Sequence, residues 1–142
     1  MSSWVQTRDN QTQALVMVEV AEPWRVIGGF PWWWAPLVAA GMQAITFYPI
    51  IANRDKSQPW SLEGFLHEYA GHGDDQATIA GKYGINVWVA RYFWRMVWRG
   101  FDYHGEADEV AARAIATTMR DWWAAHGQPT QFTLALQREA RP

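Results

Sequence analysis

Residues 61–73 read SLEGFLHEYAGHG. Ser61 suits the N-cap of a helix, because its hydroxyl can accept a hydrogen bond from a free amide of the first turn. Apolar residues then recur at helical spacing, which predicts one buried face: Leu62, Phe65, Leu66 and Tyr69. The segment therefore predicts an amphipathic helix that begins at Ser61.

The same helix carries His67, Glu68 and His72. Zinc sites in hydrolases pair two imidazoles with a carboxylate, and a neighbouring Glu can take a proton from water. The usual spacing of the two imidazoles is four residues, which places them on one helical face. Here the spacing is one residue longer, and on an ideal helix His72 would point about 140° away from His67. A π-bulge, or an unwound end at Gly71, would bring it back.

An ordinary helix end is the alternative interpretation of these residues. His72 would then bond the last carbonyls, and Glu68 would be exposed. Asp74 and Asp75 could orient an imidazole, replace a ligand, or cap the next helix.

Strands are predicted before this helix and helices after it. Val-rich and apolar runs indicate strands over residues 14–21, 24–27 and 43–52, with Pro49 at an edge or bulge of the last. Helices are predicted over 74–83, 85–99 and 106–126, and residues 130–136 could add a strand. The fold class is therefore α+β: one domain over residues 1–142, with strands followed by three to four helices. Residues 1–12 and 137–142 are expected to be flexible.

Composition limits the partners. The net charge is −2, which gives no electrostatic attraction to nucleic acid, and the absence of Cys excludes thiolate metal sites. The start of the chain has no signal-peptide pattern, so we expect a cytoplasmic or virion-associated protein. Eleven Trp residues favour a thick core or a protein assembly partner, with Trp32–Trp34 as one candidate surface. Membrane association through residues 26–52 is a further alternative, and the stripe of Arg91, Arg95 and Arg99 could bind phosphates or acidic lipids.

His67-Glu68-Tyr69-Ala70-Gly71-His72 resembles the H-E-x-x-G-H signature of the dipeptidyl peptidase III family of zincins. A looser resemblance, over residues 41–117, is to short phage and bacterial zincin-like domains. It rests on Gly41, Ala44 and Thr46 before the motif, Gln76 after it, an aromatic stretch at 92–98, and the later segment at 109–114. The resemblance implies a zincin-like fold, Zn²⁺ held by His67, His72 and Glu109 (Glu106 as the alternate), and an edge strand near 43–51 that pairs with an extended substrate.

The sequence therefore predicts a zinc-dependent metallopeptidase-like domain that hydrolyses peptide bonds in a peptide or protein substrate. Glu68 is the expected general base, and Tyr103 could stabilise the oxyanion. Tyr103 as a packed residue and Glu109 as a simple helix-start acid are the alternatives for those two positions. The alternative function is a catalytically inactive zincin-like structural or interaction protein of a larger assembly, such as a virion component.

Overall fold

The computed structural model describes residues 2–30, 44–47, 49–53, 60–84, 87, 90, 91, 94 and 107–142. Several residues named above lie outside this set, and their predictions stay predictions: Trp32–Trp34, Gly41, Arg95, Arg99, Tyr103 and Glu106. Most of the helix expected over 85–99 also lies outside it.

A four-stranded sheet covers one side of the core. β1 (Ser3–Arg8) and β2 (Leu15–Val20) form an antiparallel hairpin, in the register Val5 opposite Val18. Two short strands extend the hairpin in parallel: β6 (Trp60–Ser61) beside β1, and β7 (Gln131–Phe132) beside β2. Val16, Val18 and Val20 alternate inward along β2 and are buried, because successive side chains of a strand point to opposite faces.

A three-stranded sheet lies next in the chain, in the order β3-β5-β4. β3 (Arg25–Gly28) runs parallel to β5 (Ile50–Asn53), and β4 (Ala44–Phe47) runs antiparallel to β5. The single strand predicted over 43–52 is therefore wrong. Pro49 lies in the turn between two strands, where its fixed φ and missing N–H suit it better than a ladder position.

The helical part begins as predicted. The Ser61 hydroxyl accepts from the Gly64 amide at 3.0 Å and caps α1 (Leu62–Leu66). A π-helix (His67–His72) continues it, and α2 (Gly73–Tyr83) ends before Gly84, whose φ of 89° few other residues adopt. α3 (Ala107–Ala125) ends two residues before Gly127, which has a φ of 90°.

Both chain ends carry regular structure where flexible segments were expected. Ser3–Arg8 is β1, and Leu134–Ala140 forms α4, capped by Thr133. The tail expected to add a strand contributes only Gln131–Phe132 before α4 begins. Phe132 and Ala140 are both buried, so the two pieces of the tail close the same core.

The core lies between the four-stranded sheet and the α1, π-helix and α3 layer. Its largest buried side chains are Trp123, Phe65, Phe132, Ile51, Leu62, Leu66 and Met119. The α+β class predicted from the sequence is confirmed, with strands first and helices afterwards. No helix among the described residues is long and apolar enough to cross a membrane.

Candidate metal centre

The π-helix places His67 and His72 on the same side of the backbone. Its wider turn is closed by the Gly73 amide, which donates to the Glu68 carbonyl five residues earlier. Adding one residue to a helical turn compensates for the extra residue in the His67–His72 spacing. The two Nε2 atoms are 3.2 Å apart and the rings meet edge to face, which confirms the predicted distortion.

Gly71 lets α3 approach this distorted turn. A Cβ atom added at Gly71 would lie 2.6 Å from the Ala112 Cβ and 2.7 Å from the Ala112 Cα. Since one of these atoms belongs to the backbone, no rotation of a side chain could relieve the overlap. Gly71 is therefore required by the close packing of α3 on the π-helix.

The close approach brings Glu109 onto both imidazoles. Glu109 lies one turn before Ala112 on α3, and its oxygens are 2.9 Å from His67 Nε2 and 2.7 Å from His72 Nε2. Burial alone would raise the pKa of Glu109, but hydrogen bonds from the two His residues outweigh it and lower the pKa to about 2. Glu109 is thus a carboxylate at neutral pH, with a side chain only 5% exposed.

The donor set fits a zinc ion. Two imidazole nitrogens and the Glu109 carboxylate converge: His67 Nε2 lies 2.9 Å from Oε2, His72 Nε2 lies 2.7 Å from Oε1, and the two nitrogens are 3.2 Å apart. Ligand atoms around tetrahedral zinc, with bonds of about 2.0–2.1 Å, would lie about 3.4 Å apart, so each would move outward by only a few tenths of an ångström. Since an ionised Glu109 only accepts, each ring donates an N–H to one of its oxygens, and the two Nε2 atoms, both of them donors, lie 3.2 Å apart. A cation in place of the two N–H protons would satisfy all three ligands.

Glu68 is the second carboxylate near the imidazoles. Its Oε1 lies 4.0 Å from His67 Nε2, and its side chain is 4% exposed. Its Oε2 accepts a hydrogen bond of 2.6 Å from the hydroxyl of Thr46 on β4. His67, Glu68 and His72 form a group whose ligand atoms all lie within 4.8 Å of one another, so Glu68 is also within reach of a metal held by the imidazoles.

Thr46 is itself fixed by Gln76. The Gln76 side-chain amide donates to the Thr46 carbonyl at 2.6 Å, and both residues are buried. The carbonyls of Pro49 and Asn53 accept hydrogen bonds from N–H groups of Arg25 and Gly29, at the two ends of β3. Every second residue of a strand points its N–H and C=O to the same side, so those of Ile51 also point toward β3. Thr46 lies opposite Ile51, so the N–H and C=O of Thr46 point away from β5, toward the edge of β4 that no described strand pairs with. Gln76 thus takes up a carbonyl on the edge where substrate pairing was expected.

The neighbouring acids have other partners or lie outside the described residues. Asp74 is exposed and pairs with Arg141. The side chain of Asp75, and the whole of Tyr103 and Glu106, are not among the described groups. Glu109 is buried against both imidazoles, and the described contacts therefore distinguish it from an exposed acid at a helix start.

Sequence reasoning missed two features of the site. The first is the role of Thr46 and Gln76 toward Glu68, although both residues belong to the pattern on which the resemblance rests. The second is Ala112 as the contact of Gly71. The available signal was the small-residue series of α3, since Ala112 and Ala116 recur at helical spacing and are buried.

Comparisons of this chain with protein-family models, with curated proteins and with solved structures find no match.

Proposed function

We propose that this chain is a zinc-dependent metallopeptidase-like domain that hydrolyses peptide bonds. The observation that carries the proposal is the convergence of His67, His72 and Glu109 within 3.2 Å of one another, beside a second buried carboxylate on Glu68. Three protein ligands and one further position form the donor set of a catalytic zinc site, whereas structural sites use four protein ligands.

Zinc, when bound, would supply Lewis acidity that polarises a carbonyl and makes water easier to deprotonate. His67, His72 and Glu109 would hold it. Glu109 would also partly neutralise the charge of the ion.

Glu68 would act as the base through Oε1, the oxygen nearer the imidazoles. It would accept a proton from the attacking water and return it to the amine that leaves when the peptide bond breaks. With Oε2 bonded to Thr46, the carboxylate is already oriented for this transfer. Preorganisation of this kind lowers the cost of reaching the transition state.

The competing proposal, an inactive structural or interaction protein of a larger assembly, makes a different prediction about metal. It expects either no zinc or a zinc that no small ligand can reach. The small exposed fractions of the imidazoles, 16% for His67 and 13% for His72, fit a narrow approach to the site in the part of the chain that the structure describes.

The test is the metal content of the purified chain, made without chelator or His-tag, beside His67→Ala, His72→Ala and Glu109→Ala. About one zinc per chain, lost in all three variants, is the expected result. His126→Ala is the matched control, because the exposed His126 lies just past the end of α3, where its ring stacks on Trp122 and its Nδ1 bonds the Trp122 carbonyl. Absence of metal from the wild type after zinc is supplied would refute the proposal.

With zinc established, hydrolysis of a mixed peptide library by the wild type and by Glu68→Gln tests the reaction. Removing a general base costs about 10²- to 10⁴-fold in rate, while the zinc content should stay the same. A zinc-loaded wild type that cleaves nothing at a rate above Glu68→Gln would favour the structural alternative.

A further inference from the structure

Two buried carboxylates compete for the same pair of imidazoles. Glu109 bonds both rings at 2.9 and 2.7 Å, and Glu68 Oε1 stands 4.0 Å from His67 Nε2. A rotation of the Glu68 side chain could close that gap. If Glu68 joined the other three residues, four protein ligands would surround the ion, which is the arrangement of a closed structural site.

The contact that opposes this movement comes from Thr46. Its hydroxyl lies 2.6 Å from Glu68 Oε2 and 3.1 Å from the Glu68 main-chain carbonyl. The shorter contact has the length of a charge-assisted O–H···O⁻ bond, which is stronger than a bond between neutral groups. Thr46, Glu68 and Gln76 are all at least 97% buried, so bulk water does not compete for these bonds.

The support behind Thr46 is rigid. The Gln76 amide holds the Thr46 carbonyl at 2.6 Å, and β4 is paired to β5 across four residue pairs. A hydroxyl carried on a paired strand has little freedom to follow Glu68 if that side chain turns. The Gln76–Thr46–Glu68 series therefore ties the carboxylate to β4, while both imidazoles belong to the π-helix.

We infer that Thr46 is a positioning residue that holds Glu68 off the metal and so leaves one coordination position open. The inference rests on the proposed zinc site and concerns what keeps one coordination position of that site open. Without the hydroxyl, Glu68 would be a buried carboxylate short of one hydrogen bond, with a cation within reach. A buried charge that loses a partner is costly, and the ion would supply the replacement.

The experiment compares the wild type with Thr46→Val and Thr46→Ser. Valine has nearly the shape of threonine but lacks the hydroxyl, and serine restores it. Each chain is freed of metal and titrated with zinc against a chromophoric chelator. The Co²⁺ forms are then titrated with azide, which reports an open position through the visible spectrum. Far-UV circular dichroism checks that all variants are folded.

Because a fourth protein ligand would join the ion, Thr46→Val should bind zinc about tenfold more tightly than the wild type, and its Co²⁺ form should bind azide about tenfold more weakly, about 1.4 kcal/mol in each case. Thr46→Ser should match the wild type in both readouts. Thr46→Val/Glu68→Gln should lose the tighter zinc binding and recover azide binding, because a neutral amide is a poor zinc ligand.

The outcomes separate the two proposals. A wild type that binds zinc and azide, with Thr46→Val indistinguishable from it in both titrations, overturns the role of Thr46 and leaves the zinc site standing. Weaker zinc binding in Thr46→Val also overturns it, because a merely structural role predicts that direction. A wild type that binds neither zinc nor Co²⁺ overturns the proposed function and this inference together.

Discussion

α3 carries two buried charges that meet the first half of the chain in different ways. Arg120, toward the C-terminal end, forms a bidentate ion pair with Asp9: Nε donates to Oδ1 at 2.9 Å and Nη2 donates to Oδ2 at 3.0 Å. Thr12 adds two more hydrogen bonds to Asp9. Glu109, nearer the start of the helix, meets two imidazoles whose Nε2 atoms also face each other at 3.2 Å.

The difference lies in the kind of donor that faces each carboxylate. At Asp9 both oxygens accept from donors arranged around them, so the protein itself completes the interaction. At Glu109 both oxygens also accept, but their donors are imidazole nitrogens, which can give up their protons and bind a cation instead. We conclude that the chemistry of the donors separates a stabilising ion pair from a candidate site, although both are buried and both charged: a guanidinium keeps its protons, whereas an imidazole nitrogen can exchange its proton for a metal.

The largest expected effect comes from breaking the Asp9–Arg120 pair. Arg120→Met should lower the free energy of unfolding by about 3–5 kcal/mol, because Asp9 would remain as a buried charge without its cation. Urea denaturation measures this loss. Asp9→Asn/Arg120→Met, which leaves no charge behind, should cost less. A loss below about 1 kcal/mol for Arg120→Met would mean that the pair behaves like an exposed one.

Zinc should stabilise the cluster of His67, His72 and Glu109. At a free concentration a hundred times its Kd, zinc should raise the free energy of unfolding by about 2.7 kcal/mol, because it binds the folded chain. Urea denaturation with and without zinc measures the increment. Arg120→Met should retain it, and Glu109→Gln should lose most of it. Equal increments in the wild type and Glu109→Gln would contradict the assignment of Glu109.

Acid should weaken the Asp9 pair. The hydrogen bond from Arg120 is the largest influence on the pKa of Asp9, and with those from Thr12 it lowers that pKa from 3.8 to about 2 against the opposing effect of burial. A carboxyl whose pKa is lower in the folded than in the unfolded chain stabilises the folded chain fully at pH values above its unfolded pKa. That stability, about 2 kcal/mol, is lost as the pH falls from about 4 through about 2.

The difference in unfolding free energy between the wild type and Asp9→Asn, followed from pH 6 to pH 2, isolates this contribution from that of Glu109. This difference in unfolding free energy should decrease as the pH falls from about 4 to about 2. A difference that stays constant with pH would show that Asp9 titrates alike in the folded and unfolded chains.

The smallest effect tests the packing that brings the cluster together. Gly71→Ala should cost about 1–2 kcal/mol, since overpacking against Ala112 exceeds the gain in helix propensity. Gly81→Ala, in α2 with open space around the added Cβ, should instead stabilise by about 0.5–1 kcal/mol. Thermal or urea denaturation compares the two. Stabilisation by both substitutions would show that α3 can move away from Gly71 at little cost.

Much of the local structure follows from the sequence. The cap at Ser61, the distorted helix at Gly71, and the helix ends at Gly84 and Gly127 could all be predicted. Each depends on contacts between residues no more than about five apart, and these follow from hydrogen-bond geometry and backbone sterics. The hairpin turn at Pro49 was missed, because a long apolar run masks a turn that contains no glycine.

Composition and periodicity did not predict the partners of the buried charges, although the resemblance implied that Glu109 would lie with His67 and His72. Glu109 meets His67 across 42 residues of sequence, Thr46 meets Glu68 across 22, and Arg120 meets Asp9 across 111. Asp9 even lies in a segment that the sequence suggested was flexible. Such pairs depend on strand register and on how closely two helices approach, and the whole core sets both. Composition and periodicity therefore predicted the helix that carries His67, Glu68 and His72, while packing determined which oxygen atoms face them.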